Sequence, residues 1–332
     1  MANVLVTGGA GYVGSVCCAE LVRLGHSVTV VDDLSTGFRE VVPGGAAFFQ
    51  LDIGDRPSLE SLARNIRFDA VFHFAAKALI PESVSNPGFF FQQNVASAIT
   101  MLETLRAAGI KNFVFSSSAA VYGIPERVPI EEDDPKKPVN SYGETKLMLE
   151  QALQWYARAY GWSVISFRYF NAAGATAGLG ERHQPESHII PLLLGAAGGE
   201  RESFTIYGDD YSTPDGTCLR DYVHVLDIAQ AHICALQKLD QPGMRAFNIG
   251  LGESYSVRQI CKAAEQITGR SIPVRIGARR AGDPPVLCAS PRRIMQELGW
   301  KAQHSSLQEI IGSAWQWKQK QLSLCAGAST RM

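Results

Sequence analysis

Six short apolar runs rich in β-branched and aromatic residues, at positions 4–7, 27–32, 46–51, 69–75, 112–117 and 163–169, punctuate the first half of the chain. Helical patterns lie between them at 12–24, 56–65, 94–108 and 142–160, two of them ended by Gly25 and Gly161, residues suited to the left-handed turn that closes a helix. Strands that read as nearly unbroken apolar runs are buried on both faces, as in a parallel sheet covered by helices. The alternation therefore predicts an α/β fold, a Rossmann-like doubly wound parallel sheet. After Asn171 the chain turns rich in glycine, proline and loop residues, which predicts a smaller mixed α/β substrate lobe. A helix over 226–239 and a strand over 246–250 suggest a return to the main sheet before the chain leaves again. The expected division is residues 1–171, rejoined by 225–250, against 172–224 and 251–332.

The first strand runs into Gly8-Gly9-Ala10-Gly11-Tyr12-Val13-Gly14. Glycines at 8, 11 and 14 let the backbone turn tightly and approach a pyrophosphate at the N-terminus of the helix that Tyr12 and Val13 open. Asp32 ends the second strand at about the 20-residue spacing at which a carboxylate accepts from a ribose hydroxyl and repels a 2′-phosphate. NAD is the cofactor this predicts; Arg39, close in sequence, keeps NADP as the alternative. The competing reading makes Asp32 and Asp33 a solvated strand end before the turn Leu34-Ser35-Thr36-Gly37. Asp52 and Ile53 are candidates to flank the adenine. Phe74, Ala75, Ala76 and Lys77 close the fourth strand on the edge where doubly wound sheets bind ligands.

Ser116-Ser117-Ser118 ends the fifth strand, and Tyr142-Gly-Glu-Thr-Lys146 follows. Side chains four apart on a helix share a face, so the Lys146 ammonium can sit beside the Tyr142 hydroxyl and favour its ionised form. Ser118 could then share a substrate oxygen with Tyr142. Ser141 and Glu144 have capping-box spacing and predict the helix start. Alone, the serines read as a structural strand end and the Tyr–Lys pair as an exposed helix pair. Their joint occurrence behind a dinucleotide loop favours catalysis.

A formal net charge of -1 gives no global attraction to nucleic acid or anionic membranes. No apolar run approaches the roughly 20 residues that span a bilayer, and the predicted address is the cytoplasm. Seven cysteines without Cys-x-x-Cys spacing argue for reduced thiols, with Cys17 and Cys18 as packing residues. Seven histidines show no ligand spacing, so no metal is expected.

With these motifs the chain resembles the extended short-chain dehydrogenase/reductase family, and within it the C4 epimerases of UDP-sugars. The resemblance runs nearly end to end and rests further on Arg168-Tyr-Phe-Asn171, Gly216-Thr-Cys-Leu-Arg-Asp-Tyr-Val-His224 and Arg279-Arg-Ala-Gly-Asp283. It implies interconversion of UDP-glucose and UDP-galactose: Tyr142 removes the 4-hydroxyl proton, Lys146 lowers the phenol pKa and holds the nicotinamide ribose, and Ser118 orients the 4-oxygen. Hydride passes to bound NAD, the 4-keto sugar turns about its diphosphate tether, and hydride returns to the other face. The resemblance also sets Asn94, Ser116, Ser117, Tyr169 and Phe170 along the cofactor.

On the substrate side the resemblance implies that Arg220 and Arg280 meet the diphosphate, Tyr207 lies by the uracil and Asp283 accepts from a ribose hydroxyl. Asn171, His188 and Ile189 complete that set. Planar guanidinium forks suit phosphate, although Arg220 beside Asp221 would alone read as a surface pair. Leu287 lies where side-chain size bears on N-acetylated sugars. The 94–108 and 147–160 helices pair across a homodimer in the resembled family. A 4,6-dehydratase needs an acid pair near the serine strand, where this chain has Ala119-Ala120. A C4 epimerase of another UDP-sugar stays open, and a non-catalytic NAD sensor would be expected to lose Tyr142 or Lys146.

Overall fold

In the computed structural model, which describes residues 1–280 and 282–329, the apolar runs assemble side by side. The first half gives β1 (Asn3–Thr7), α1 (Tyr12–Arg23), β2 (Ser27–Asp32), β3 (Ala46–Gln50), α2 (Arg56–Asn65), β4 (Ala70–His73), α3 (Ile80–Ser85), α4 (Pro87–Phe91), α5 (Ser97–Ala107), β5 (Asn112–Ser118), α6 (Ser141–Tyr160) and β6 (Ser163–Tyr169). Next come β7 (Asn171–Ala173), α7 (Ile189–Gly198), β8 (Phe204–Tyr207), β9 (Leu219–Arg220), β10 (Tyr222–His224), α8 (Val225–Leu236) and β11 (Gly243–Ile249). β11 joins the sheet beside β6, giving the order β11-β6-β5-β4-β1-β2-β3, every pair parallel.

Strand order reverses at β1 and β4, so a crevice opens past their carboxyl ends. Side chains alternate across the pleat. Val4, Val6, Phe72 and Val114 face α1 and α8 in one buried cluster, while Leu5, Val71, Phe113 and Phe115 face α2, α5 and α6 in another. Cys17 and Cys18 are packed in the first cluster, as expected, and the Cys325 side chain lies outside the described part. A third cluster joins α7, β8, α9 (Val257–Thr268) and α10 (Leu307–Ser329) in the second lobe.

Several boundaries move for identifiable reasons. The helix expected over 94–108 opens with a π-helical turn, Gln92–Ala96, a rare form concentrated at functional sites. α3 and α4, unforeseen, each begin with proline in the first turn, where its missing N–H costs nothing. The strand expected over 69–75 stops at His73 because the Phe74 and Ala75 amides both donate to the Thr7 carbonyl, at 2.9 and 3.1 Å. The Ser141 capping box gives way to Asn140, whose side chain accepts from Gly143 N at 2.8 Å. Ser141 Oγ donates instead to the Ser83 carbonyl.

Candidate active site

The glycine loop is pressed so tightly between β1, α1 and the end of β4 that side chains cannot fit. At Gly8, with φ of +73°, a Cβ would stand 2.4 Å from Ala75 N; at Gly14 it would stand 2.2 Å from the Gly8 carbonyl oxygen. No side chain caps α1, so its first N–H groups face the crevice mouth as an anion cradle. Tyr12 is tied elsewhere: its hydroxyl donates to the Gly174 carbonyl at 2.5 Å, joining the loop to the second lobe. Val13 packs against the main core.

Asp32 is buried at the end of β2 and accepts from Ala10 N and Leu34 N, both at 2.9 Å. Burial raises its pKa, and these two N–H groups oppose the rise. Each oxygen retains a lone pair for a ribose hydroxyl; a merely solvated strand end is therefore excluded for Asp32. Asp33 is the exposed member and accepts from Ser35 N and Ser35 Oγ at 2.9 and 2.6 Å. The turn that follows them is tight: Leu34 has φ of +59°, Thr36 is exposed, and a Cβ at Gly37 would lie 2.9 Å from Asp32 Oδ1. Arg39 is stacked on Phe48, 4.4 Å from the ring centroid.

Lys77 reaches across to this same turn, donating to Ser35 Oγ with Asp33 4.0 Å away. Its backbone is clamped by Asn94, which accepts from Lys77 N at 2.8 Å and donates to Lys77 O at 2.9 Å and to Thr145 Oγ1 at 3.1 Å. Ala76, just ahead of Lys77, is partly buried. Asp52 is exposed and accepts from Gly54 N, while Ile53 is buried against the second core cluster.

Ser118 and Tyr142 meet where β5 ends and α6 begins. Enclosure raises the Tyr142 phenol above its ordinary pKa, and the nearby Ser118 hydroxyl pulls the other way. Lys146 lies on the Tyr142 face of α6, as its spacing predicts, but its ammonium stands 5.8 Å from the tyrosine ring centroid and donates to the Ser116 carbonyl at 2.8 Å. Burial pushes Lys146 down to about 7, resisted by Glu150 one turn further on. The spacing thus brings the ammonium to the tyrosine ring, while burial of both groups works against the charged lysine and against the phenolate.

Two expected cofactor residues turn elsewhere. The pleat sends Ser117 away from Ser116 and Ser118, and its buried hydroxyl has no hydrogen-bond partner among the described residues. Tyr169 Oη is in hydrogen-bond contact with His232 Nε2, at 2.9 Å, inside the core. Phe170 packs with Leu147 and Leu287 on the cluster around Tyr122.

In the second lobe Arg220 pairs with Asp283 and donates to its neighbour's carbonyl, Leu219 O, at 2.8 Å. The surface pair with Asp221 is thereby excluded; Asp221 is fully buried, accepts from Leu251, Gly252 and Ala289 amides, and burial lifts it to about 6 despite them. Arg280 stacks on Tyr207, 4.2 Å from the centroid. Asn171 N and Nδ2 both donate to the Asp221 carbonyl at 2.9 Å. His188, ahead of Ile189 at the start of α7, is 2.8 Å from Glu186; burial would lower it, but Glu186 and Glu181 raise it to about 8.

A buried network beneath α6 escaped the sequence reading. Arg168 donates from Nε and Nη2 to the two Glu150 oxygens at 3.0 and 2.6 Å, and from Nη1 to Tyr122 Oη and Glu132 O at 2.8 Å each. Its signal was present in hindsight: a glutamate one turn beyond Lys146, beside the apolar Leu149 and Leu153.

Comparison with known proteins finds close relatives over nearly the whole chain. The chain is 47% identical over 313 residues to UDP-glucose 4-epimerase of Corynebacterium glutamicum, covering 94% of each. It superposes with a TM-score of 0.92 on Brucella ovis UDP-glucose 4-epimerase in complex with NAD, 44% identical, covering 95% of this chain and 98% of that one. The Bifidobacterium longum enzyme in complex with NAD+ and UDP gives 0.92 at 34% identity, over 96% and 98%. Residues 4–250 match the family described as NAD dependent epimerase/dehydratase. With a nucleotide cradle, a Ser–Tyr–Lys group and relatives aligned over nearly the whole length, the chain belongs to the NAD dependent epimerase/dehydratase family.

Proposed function

We propose that the protein interconverts UDP-glucose and UDP-galactose by NAD-dependent inversion at C4. The observation that carries this is the convergence of Ser118, Tyr142 and Lys146 at the end of β5, beside a loop packed too closely for side chains at Gly8 and Gly14. The cradle fits NAD: α1 offers uncapped N–H groups to the pyrophosphate, and Asp32 offers an acceptor to the ribose. When bound, NAD would supply the reversible hydride acceptor for C4 and, oxidised, positive charge that favours ionised Tyr142.

The chain's own residues do the rest. Tyr142 takes the 4-hydroxyl proton at its phenolic oxygen and returns it after inversion, and Ser118 holds the 4-oxygen at that position. Arg220 and Arg280 bind the diphosphate; Asp283, paired to Arg220, fixes the guanidinium plane and stays available to the uridine ribose. Tyr207, backed by Arg280, forms the uracil wall. Holding the nucleotide at the second lobe, 172–224 and 251–332, leaves the hexose free to present either face. Ala119 and Ala120 supply no acid for dehydration.

The protein acts in the cytoplasm as a homodimer. Met148 and Trp155, seven residues apart on one face of α6, lie exposed, with Trp155 66% accessible, an apolar strip suited to a helix pairing. The six described cysteines outside the C-terminal end are unpaired thiols, and among the described residues no helix is long and apolar enough to cross a membrane.

Purified protein incubated with UDP-galactose and no added reductant should yield UDP-glucose, read by anion-exchange chromatography. NAD binding without interconversion would overturn the reading. Parallel reactions with UDP-N-acetylglucosamine and UDP-xylose define the sugar range.

A further inference from the structure

The segment between β7 and α7 gathers a second group of ionisable side chains. Glu181 Oε1 contacts His183 Nδ1 and lies 3.2 Å from His188 Nδ1. Glu186 Oε1 is 2.8 Å from that same His188 nitrogen. One ligand atom from each of Glu181, His183 and His188 falls within 4.8 Å of the others. Three corners of a tetrahedron around a dication stand about 3.4 Å apart at bonds of about 2.1 Å, so small side-chain rotations close the set.

Charge points the same way. The Glu181 side chain is 7% exposed, yet among the described residues neither Glu181 nor Glu186 pairs with a lysine or arginine. Arg182, between Glu181 and His183, turns outward to Glu40 at 2.9 Å and stacks over Phe38. The only side-chain cations near the two carboxylates among the described residues are thus imidazoles, with the Ser187 and His188 amides donating to Glu186 at 2.7 Å each; both carboxylates also disfavour the nearby Tyr12 phenol as an anion, after its burial. Imidazole and carboxylate together suit zinc and its transition-metal neighbours better than magnesium or calcium.

We propose that Glu181, His183 and His188 bind a transition-metal dication, with Zn2+ as the representative ion. Glu186 supplies the second negative charge that neutralises it, and water takes the open fourth position. No His-Glu-x-x-His motif exists here; the ligands come from one loop, at spacings of two and five, which is why the sequence suggested no metal. Because His188 also belongs to the candidate substrate set, occupation should exclude the nucleotide sugar, a consequence that rests on the proposed function whereas binding does not.

Zinc chloride titrated calorimetrically into the NAD-loaded enzyme tests the site. One zinc per chain is expected, with affinity falling roughly tenfold or more in His183→Ala and in Glu181→Gln. X-ray absorption at the zinc edge should show nitrogen and oxygen neighbours only. His183→Ala, outside the catalytic and substrate sets, should keep metal-free turnover and so report an intact fold. Absence of binding, equal binding by wild type and both variants, or a sulfur neighbour overturns the proposal. Binding that leaves UDP-galactose turnover untouched upholds the metal site and overturns only its link to substrate.

Discussion

Replacing Arg168 by methionine probes the support on which α6, and so Tyr142 and Lys146, rests. Both members of the Arg168–Glu150 pair are 5% exposed, and the contact is two-pronged. Removing the guanidinium strands a buried carboxylate, deprives Tyr122 Oη and the Glu132 carbonyl of a donor, and should lower unfolding free energy by about 3–5 kcal/mol. Substituting the pair together, Arg168→Met with Glu150→Leu, removes the orphaned charge and should recover most of that loss, because a buried ion pair contributes little net of its desolvation. Urea denaturation of the four proteins of the cycle, at fixed NAD concentration, reads both numbers. A single-variant loss below about 1 kcal/mol, or a double variant as unstable as the summed singles, would refute the view that an unpaired charge is the cost.

Tyr142→Phe should reduce kcat by about two to four orders of magnitude while NAD and UDP still bind; turnover near wild type sinks the proton-transfer role. Lys146 has a folded pKa of about 7 against an ordinary 10.5, so folding disfavours its ammonium, and the cost grows as pH falls from 10.5 towards 7 by about 1.4 kcal/mol per unit. The unfolding free energy of NAD-free Lys146→Met minus that of wild type should therefore shrink between pH 7 and 9, and a constant difference contradicts the burial argument. Ser117→Ala removes a buried hydroxyl that has no partner among the described residues and should be neutral or stabilising by up to about 1 kcal/mol, measured as a thermal midpoint; a clear loss reveals an unrecognised bond.

What the sequence disclosed was what local spacing encodes. β1 to β6 follow from apolar runs between helical stretches, and Tyr142, Lys146 and Ser118 from a four-residue helical step and a strand end. Partners chosen across long separations were out of reach: Tyr169 turns to His232 and Arg220 to Asp283, 63 positions away in each case. Asn140 and Ser141 are both good caps; the carbonyl of Ser83 decides between them by claiming the serine. The Glu181–His188 cluster depends on how one irregular loop folds back, for which no periodicity exists.

The Asn94 clamp has a mechanical consequence. One carboxamide bridges the backbone at Lys77 to Thr145, which lies between Tyr142 and Lys146 and is fully buried. Strain arriving at the end of β4 passes to the catalytic helix through two stiff bonds, with no slack linker to absorb it. Floor and proton donor therefore travel as one solid block, and the compliance that a turning sugar demands must be supplied by the opposite wall.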